Sequence, residues 1–538
     1  MTITMNYLAP FAGAVSRDMT AKLSDFVTPE DFGAVGDNTV DDTLAVQAAL
    51  DTGRNVLITG RHRITQPLLV KTIGQKIQGS TGPGYMAVAG LYFADLASGT
   101  AGLNVLTSGV VIDGLVMQGN PQDKLEWDTT LETTGSMIVF ANQAAAYTPL
   151  GQNRADVDLT ITNCSLGNAK TLVKVVGRGL RLSDCNLVLA VHVLEIEWPS
   201  DFVQGTAYDS ALKAGMRAYT LRDNRIHGCS GGYVVRNIGA QKNNIHGLMV
   251  IGNFIDTNIR MFRGVANESL FSGNVMIHGK SAGYVFTIEG GDCIRIAENT
   301  FHGMEDTGNT EPNVETHREL VSGIYVSNAS NVAIVGNNFK RVLRDVVLIA
   351  SGVRNVSICD NVMKNVGMDN DDTTISPPTT RYGVRVAAPL DGLLVRGNVL
   401  DNPLRTVANP PLVGVVAGGS LTNWIIDDNI LPTLTDGTQT IEIGAHAFAS
   451  PVSGASANTS RRVVAYTGDG QTSQEFTFRF TPVFVLATIV SGPDRGRSMA
   501  VSVTATAGSD QVEISGRTVK VKDAWNASGI SYTLLAFT

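Results

Sequence analysis

The chain has 538 residues, of which 43% are hydrophobic and 17% charged, with 56 Gly and 18 Pro. This composition is too apolar for a disordered chain, and the length predicts a folded protein of two to four domains. The formal net charge of −8 argues against a broad basic surface, so we expect no nucleic-acid partner.

The sequence also predicts that the chain neither enters a membrane nor forms disulfides. It has no window of about twenty uninterrupted apolar residues, and residues 1–17 lack the parts of an ordinary secretion signal. The five cysteines are widely spaced and form no CxxC pair: Cys164, Cys185, Cys229, Cys293 and Cys359. We therefore expect the five cysteines to be small, buried hydrophobic side chains, in a protein that is assembled in a reducing cytoplasm.

The first predicted element is a helix that follows a turn-rich segment, residues 31–42. Asp41 or Asp42 is placed to cap this helix, and Leu44 and Ala48 fall on one face. A short amphipathic helix covers the open end of a solenoid. We therefore expect a lead-in segment over 1–25, followed by a cap and the first coils over 26–100.

The middle of the chain repeats one short phrase, a strand that ends in Asn or Cys at a turn. The shortest steps between aligned positions are 21 to 25 residues long, which is the length of one coil of a parallel β-helix. We therefore predict an all-β fold, with this solenoid over residues 101–450. The aligned positions are Cys164, Cys185, Asn224, Asn253, Asn274, Asn299, Asn337, Asn361, Asn398 and Asn429.

The repeated position is expected at a corner of each coil, where a left-handed residue is tolerated. Stacked Asn side chains can hydrogen-bond to the same residue one coil away. Cys164 and Cys185 stand in the same column, which indicates an inward, desolvated position.

Three coils are longer than the shortest repeat by about a dozen residues each, which indicates insertions. These coils contain the polar stretches 199–219, 302–322 and 366–382. We expect them to form loops on one side of the solenoid, because loops on a rigid scaffold are where binding and chemistry tend to lie.

From about residue 455 the pattern changes to alternating strands, which predicts a separate antiparallel β domain over 455–538. The predicted strands are 476–480, 484–490, 500–504, 511–515, 518–522 and 531–537.

Two segments resemble a known family. Residues 27–37 (VTPEDFGAVGD), followed by 41–43 (DDT) and 47–50 (QAAL), are similar to the N-terminal cap of pectate-lyase-like right-handed β-helix proteins, in particular bacteriophage tailspikes and tail depolymerases. Residues 525–537 (WNASGISYTLLAF) are similar to the closing strand of small C-terminal domains in tail fibres and tailspikes. In this family the same cap precedes lyases, hydrolases and binders that do not cleave.

The resemblance implies a homotrimer on a virion tail, joined to the baseplate or another tail protein. Such a protein binds, and usually cleaves, a bacterial capsular or lipopolysaccharide chain at the cell surface. The C-terminal domain would lock the trimer or bind glycan. No cofactor is implied, and the family shares no catalytic motif that transfers by residue.

Glycosidic hydrolysis needs two carboxyl groups about 5 to 9.5 Å apart. On a β-helix, residues i and i+2 share a face at about 6.5 Å, and equivalent residues on adjacent coils are about 4.8 Å apart. In residues 191–198, apolar Leu194 and Ile196 take the inward face. Glu195 and Glu197 are therefore predicted to point outward together as a catalytic pair.

Glu289 is the third predicted catalytic residue, because Phe286 and Ile288 take the inward face of its strand. Arginines lie between the two acidic strands, although the pattern leaves the register of 233–238 and 259–264 open. The predicted substrate-binding residues are Arg236, Arg260, Arg263, Asp292, Trp198 and Tyr208.

Other interpretations of these charges stay open. Exposed Glu and Arg on neighbouring coils also form surface ion pairs that contribute little. Glu315 and Glu319, in the second insertion, form a weaker acidic cluster. Residues 369–372 lack the Gly and distal Glu of a calcium loop, so we expect no metal. His192 is expected to be a core residue rather than a base.

The sequence thus favours a tailspike that depolymerises a surface polysaccharide by hydrolysis. A lyase acting on a uronic-acid glycan and a receptor-binding spike that does not cleave are the alternatives.

Overall fold

The protein is described from a computed structural model. The chain forms two compact units, Met1–Ser330 and Asn331–Thr538. The structure describes residues 6–7, 12–19, 25–79, 89–94, 96, 100–119, 136–141, 159–176, 179–197, 217–238, 245–277, 284–302, 323–342, 344–366, 382–401, 412–415, 419–427, 429, 461–467, 473–477, 484–489, 498–502, 512–515, 518–522 and 531–537.

The first unit contains a short 3₁₀ helix, Pro29–Phe32, and an α-helix, α1, Thr43–Asp51. The strands that follow are those of the described residues of this unit. In chain order they are β1 Asn6–Tyr7, β2 Arg17–Asp18, β3 Phe26–Val27, β4 Asp37–Asp41, β5 Asn55–Ile58, β6 Arg61–Ile64, β7 Leu68–Val70, β8 Lys76–Gly79, β9 Gly90–Phe93, β10 Leu103–Val105, β11 Val111–Asp113, β12 Val116–Gln118, β13 Ser136–Ala141, β14 Leu159–Thr162, β15 Ser165–Val176, β16 Leu180–Ser183, β17 Asn186–Glu197, β18 Arg217–Arg222, β19 Arg225–Ile238, β20 His246–Ile251, β21 Phe254–Val265, β22 Ser269–Ser272, β23 Val275–Ile277, β24 Phe286–Ala297, β25 Thr300–His302 and β26 Ile324–Val326.

Strand β27, Ala329–Val335, begins in the first unit and ends in the second. The strands that follow it are β28 Asn338–Val342, β29 Val347–Ile349, β30 Arg354–Cys359, β31 Val362–Val366, β32 Val384–Val386, β33 Pro389–Arg396, β34 Val399–Asp401, β35 Val413–Val415, β36 Ser420–Asp427, β37 Arg461–Thr467, β38 Ser473–Thr477, β39 Phe484–Ile489, β40 Ser498–Ser502, β41 Val512–Ser515, β42 Thr518–Lys522 and β43 Ser531–Phe537.

Strands β1 and β2 pair antiparallel in a sheet of their own. The strands of the first unit from β3 onward form three parallel ladders, one on each side of a coil. The first ladder runs β3, β5, β8, β11, β14, β16, β18, β20, β22 and β24. The second runs β4, β6, β9, β12, β15, β17, β19, β21, β23 and β25. The third runs β7, β10, β13, β15, β17, β19, β21, β24 and β26. Each strand pairs with its equivalent one coil away, so this unit is a parallel β-helix, as the repeat predicted.

The core of this helix is built from columns of apolar residues that pair across successive coils. One column lies on the third ladder, and its six side chains have no exposed surface. Its members are Val173, Leu194, Val235, Phe262, Phe286 and Ile324. Phe271 packs against two of these rings, with centroids 5.0 and 5.1 Å away. Burial of such stacked columns is the main stabilising term of a solenoid.

The repeated Asn positions form a hydrogen-bonded ladder inside the first unit. Asn253 Oδ1 accepts from the backbone N–H of Asn224 at 3.1 Å and from its Nδ2 at 3.0 Å. Asn274 does the same for Asn253, and Asn299 for Asn274. The backbone N–H of Cys185 donates to Asn224 at 3.0 Å. These four Asn side chains are buried, so each bond forms away from competing water.

The second unit repeats this ladder through Asn337, Asn361, Asn398 and Asn429. The left-handed residue of each corner is the one before the ladder position. In the two units these residues have φ between 53° and 67°: Asn163, Asp184, Asp223, Gly252, Gly273, Glu298, Gly336, Asp360 and Gly397. Most of them are Gly, Asn or Asp, the residues that adopt this conformation at least cost.

The N-terminal cap differs in detail from its prediction. Asp42 occupies the N-cap position of α1 without a side-chain capping hydrogen bond, whereas the Oδ1 of the preceding Asp41 accepts from the backbone N–H of Thr43 at 3.0 Å. The Asp42 carboxylate instead hydrogen-bonds His62 Nδ1 at 2.9 Å. The prediction that Leu44 lies on the packed face is wrong, since 82% of its surface is exposed. The buried stripe is Thr43, Val46, Ala49 and Leu50.

The remaining strands of the second unit include parallel and antiparallel sets. Within the second unit, parallel pairing joins β28, β31 and β34, joins β29, β32 and β35, and joins β30, β33 and β36. From Arg461 the pairing becomes antiparallel, with β37, β43, β39 and β40 in one sheet and β38, β42 and β41 in another. Strands β39, β41, β42 and β43 lie within segments predicted from alternation, whereas β38 and β40 begin three and two residues before the predicted segments and β37 was not predicted.

The cysteines agree only in part with their prediction. Cys164, Cys185 and Cys229 are buried, and burial raises the pKa of Cys229 to about 12. Cys293 is exposed and Cys359 half-buried, so the expectation of burial is wrong for these two. Cys293 has φ of 56°, because it stands at a corner rather than on an inward strand position. None of the helices in the described part of the chain is long and apolar enough to cross a membrane.

Candidate functional site

One outward column of the third ladder carries polar side chains on six successive strands. The sequence left its register open, and the structure places Glu195, Arg236 and Arg263 directly in line. Neighbouring members are about 4.8 Å apart along the helix axis. We call this set the charged column, and its members are Lys174, Glu195, Arg236, Arg263, Thr287 and Tyr325.

The column faces outward because its strands alternate regularly. Leu194 and Ile196 have no exposed surface, as predicted, which turns Glu195 and Glu197 to the opposite face of β17. Phe286 and Ile288 are likewise buried and turn Glu289 outward on β24.

Glu195 points outward, as predicted from the sequence, but it is not exposed to solvent. Only 5% of its surface is accessible. Arg236 donates to its Oε2 from Nε at 2.8 Å and from Nη2 at 2.5 Å. Lys174 Nζ lies 3.7 Å from Oε1. The close spacing of coils holds a cation on each side of this carboxylate, which explains its burial and compensates its charge.

Glu197 is more accessible, with 31% of its side chain exposed, and it pairs with Lys174 Nζ at 2.6 Å. One ammonium therefore bridges both carboxylates. The distance between Glu195 Oε1 and Glu197 Oε2 therefore cannot exceed the sum of their two distances to Lys174 Nζ. That limit falls just below the roughly 6.5 Å at which the carboxyl spacing of inverting glycosidases begins.

Glu289 joins the column through Arg263. Residues Gly264 and Val265 pair with Ile288 and Gly290, so Glu289 is an extra residue at a β-bulge. Its Oε1 accepts from Arg263 Nε at 2.8 Å. This hydrogen bond raises the pKa of Arg263, and a side-chain hydrogen bond with Tyr233 adds to the effect.

Tyr233 organises a second layer beside the column. The Arg260 guanidinium lies 4.2 Å from the Tyr233 ring centre, and its Nη2 donates to Gly231 O at 2.9 Å. Burial lowers the pKa of Arg260. A cation held over an aromatic face is stabilised by the charge distribution of the ring. Arg260 is therefore kept in a fixed position next to the column.

His192 completes this layer and is a buried neutral residue. Its ring stacks on Tyr233, with centroids 6.2 Å apart, and its Nδ1 accepts from the Tyr233 backbone N–H at 3.2 Å. Burial, together with the nearby charges of Arg236 and Arg260, lowers the pKa of His192 to about 3. A ring that is neutral at pH 7 and uses Nδ1 as an acceptor is not poised as a general base.

The site carries more cationic than anionic side chains, although the whole chain has a net charge of −8. The cations outnumber the carboxylates five to three: Lys170, Lys174, Arg236, Arg260 and Arg263 against Glu195, Glu197 and Glu289. Such a surface favours an anionic ligand, and guanidinium groups pair with carboxylate or phosphate through two hydrogen bonds.

Sequence reasoning missed Lys174, Tyr233 and Tyr325. Lys174 and Tyr325 each stand between two inward apolar residues, so the alternation that revealed Glu195 would also have revealed them.

The other predicted residues lie elsewhere. Asp292 is exposed, and its Oδ1 accepts from Ser330 Oγ at 2.6 Å. Trp198, Tyr208, the Glu315 and Glu319 cluster and residues 369–372 lie outside the described residues. The described parts of the chain contain no group of three or more His, Cys, Asp or Glu side chains arranged to hold a metal ion.

Comparison with known proteins gives similar structures but no matching family model. The tailspike gp208 of Dettilon is 12% identical with a TM-score of 0.46, over 96% of this chain and 95% of that chain. Tailspike protein 3 of bacteriophage CBA120 is 14% identical with a TM-score of 0.37, over 81% of this chain and 64% of that chain. The mannuronan C-5 epimerase AlgE6 A-module of Azotobacter vinelandii is 15% identical with a TM-score of 0.40, over 75% and 99%. Bacteriophage tailspikes are thus among the solved structures to which this chain is similar.

Proposed function

We propose that the protein binds a bacterial surface polysaccharide along the charged column and cleaves it by endo-glycosidic hydrolysis. The observation that carries this proposal is the column itself, in which Lys174, Glu195, Arg236 and Arg263 follow one another on successive coils of a rigid scaffold. Glu197 and Glu289 lie beside the column, paired with Lys174 and Arg263. A linear glycan lying along the helix axis therefore meets carboxylates for catalysis and cations for binding on one face.

The proposed chemistry uses the paired carboxylates. Glu195, which contacts Arg236 and Lys174, serves as the nucleophile or stabilises the positive charge of the transition state. Glu197 is more exposed and serves as the acid and base at the leaving oxygen. The upper limit that the Lys174 contacts set on this spacing is compatible with a retaining mechanism, in which the carboxyl groups are about 5 to 5.5 Å apart.

The arginines provide recognition in this proposal. Arg263 has 55% of its side chain exposed and is the cation of the column most open to a ligand. Its orientation is held by Glu289 and Tyr233. A carboxylated or phosphorylated sugar would accept two hydrogen bonds from this guanidinium.

The test replaces Glu195, Glu197 and Glu289 singly by Gln and follows new reducing ends from a panel of capsular and lipopolysaccharide glycans. Loss of cleavage with binding retained supports the catalytic assignment. Glu298→Gln is the matched control, because Glu298 is an exposed glutamate at a corner away from the column. Unchanged cleavage in all three variants would refute the proposed catalytic residues.

Two other activities are each favoured by one observation. The excess of cations suits a lyase, because they would neutralise a uronate while a base removes its proton. Products that absorb ultraviolet light as unsaturated sugars would identify it. The burial of Glu195 in a paired state suits a receptor-binding spike that does not cleave, since the carboxylate would then only hold adjacent coils together. Binding of a glycan without new reducing ends would identify that function.

We further propose that the protein acts as a homotrimer on a virion tail. The resemblance of residues 27–50 to tailspike caps supports this location, and the antiparallel strands from Arg461 onward supply a region able to hold three chains together. Light scattering of the full chain tests the assembly. The mass after deletion of 455–538 then tests whether that region locks it.

A further inference from the structure

Two tyrosines stand at the far end of the charged column from Lys174. Tyr325 is in register with Thr287 and Arg263, so it is the last member of the column on the described strands of the first unit. Its ring centre lies 5.1 Å from that of Tyr284, with the planes tilted by 48°. Both side chains are partly exposed.

The local structure holds Tyr325 outward. Ile324 and Val326 flank it and have no exposed surface, which turns the intervening side chain away from the core. A tyrosine fixed on a strand has only two rotatable side-chain bonds, and it offers a large apolar face with a hydroxyl at its tip. Such a ring binds the apolar face of a sugar with little loss of conformational entropy.

The position of the pair along the helix axis is informative. Tyr325 is four coils from Glu195 and two from Arg263, or about 19 Å and about 10 Å at the spacing of parallel strands. A glycan anchored by Arg263 and running along the axis therefore passes over the two rings.

We infer that Tyr284 and Tyr325 form a sugar-stacking subsite for the distal part of an anionic polysaccharide whose charged units lie on Arg263. The subsite takes uncharged ring faces, whereas the arginine takes carboxylate or phosphate groups. This inference rests on the proposed function, because it requires the glycan to lie along the charged column. It adds that the bound glycan extends from Arg263 toward Tyr325, and that a ligand must be long enough to contact both residues.

The test titrates the full-length protein with size-fractionated oligosaccharides from acidic capsular polysaccharides, from disaccharides to decasaccharides. We expect Tyr325→Ala to weaken binding of the long fragments about tenfold, the scale of one aromatic contact. Fragments that are too short to span from Arg263 to Tyr325 should bind Tyr325→Ala with the same affinity as they bind the wild type. Tyr325→Phe, which keeps the ring, should bind within about twofold of the wild type.

Tyr92→Ala is the matched control, because Tyr92 is a half-buried tyrosine on another ladder that packs under Arg61, with the guanidinium carbon 4.8 Å from the ring centre. Equal affinities of wild type and Tyr325→Ala at every length, with Arg263→Ala still impaired, would overturn the subsite and leave the proposed function intact. If the wild type binds no member of the panel, or Arg263→Ala has no effect, the glycan does not lie on the column and both proposals fail.

Discussion

Arg236→Met should destabilise the β-helix more than the loss of any exposed arginine. The variant leaves Glu195 only 5% exposed, without its two guanidinium hydrogen bonds. Breaking a buried pair by removing one partner costs about 3 to 5 kcal/mol. Because Lys174 still lies 3.7 Å from the other oxygen, we expect the lower end, about 3 kcal/mol.

The double variant Glu195→Gln with Arg236→Met separates the cost of an unpaired charge from the loss of packing. Removing the charge together with its partner should return the free energy of unfolding to within about 1 kcal/mol of the wild type. Equilibrium urea unfolding, followed by circular dichroism, gives the midpoints from which these differences are calculated.

The control is Arg222→Met, since 61% of the Arg222 side chain is exposed in its contact with Asp223. Its effect should stay within about 0.5 kcal/mol. If Arg236→Met costs no more than this control, or if the double variant is less stable than the single one, Glu195 does not depend on Arg236 as we describe.

Three further predictions concern the scaffold around the site. Asn274→Ala should lower the free energy of unfolding by about 3 kcal/mol in urea titrations, because it leaves the backbone N–H and Nδ2 of Asn253 unpaired in the core. Asn274→Cys should cost less, because Cys164 and Cys185 occupy equivalent positions of the ladder. Gly264→Ala should destabilise the protein more than Gly273→Ala by the same measurement, because its new Cβ would lie 1.6 Å from Asn237 Oδ1, whereas at Gly273 the nearest atom is 3.9 Å away; equal losses would contradict this. The pKa of His192 falls from 6.5 to about 3 on folding, so only the unfolded chain takes up this proton between those values and stability falls as the pH drops through that window. The free energy of unfolding should therefore be about 2 kcal/mol lower at pH 5 than at pH 7. If the stability of a His192→Gln variant depends on pH as that of the wild type does, His192 is not the group responsible.

The repeat and the alternation of the strands were sufficient to predict the fold and the direction of the key side chains. Alternation is a local property of a strand, so it correctly turned Leu194 and Ile196 inward and the acids outward. The Asn column was equally visible, because each coil repeats the same corner. These features depend on residues that are close in sequence.

Only the tertiary structure decided which side chains meet. Arg236 and Glu195 are 41 residues apart, and their contact depends on the length of an inserted coil that no local pattern specifies. The same is true of Lys174, whose contacts with two glutamates come from the register between coils. The burial of Glu195 follows from these cations rather than from its own strand. Sequence alone therefore determined the scaffold and the candidate acids, whereas packing between coils determined their charge environment, because coil-to-coil register is a long-range property of the chain.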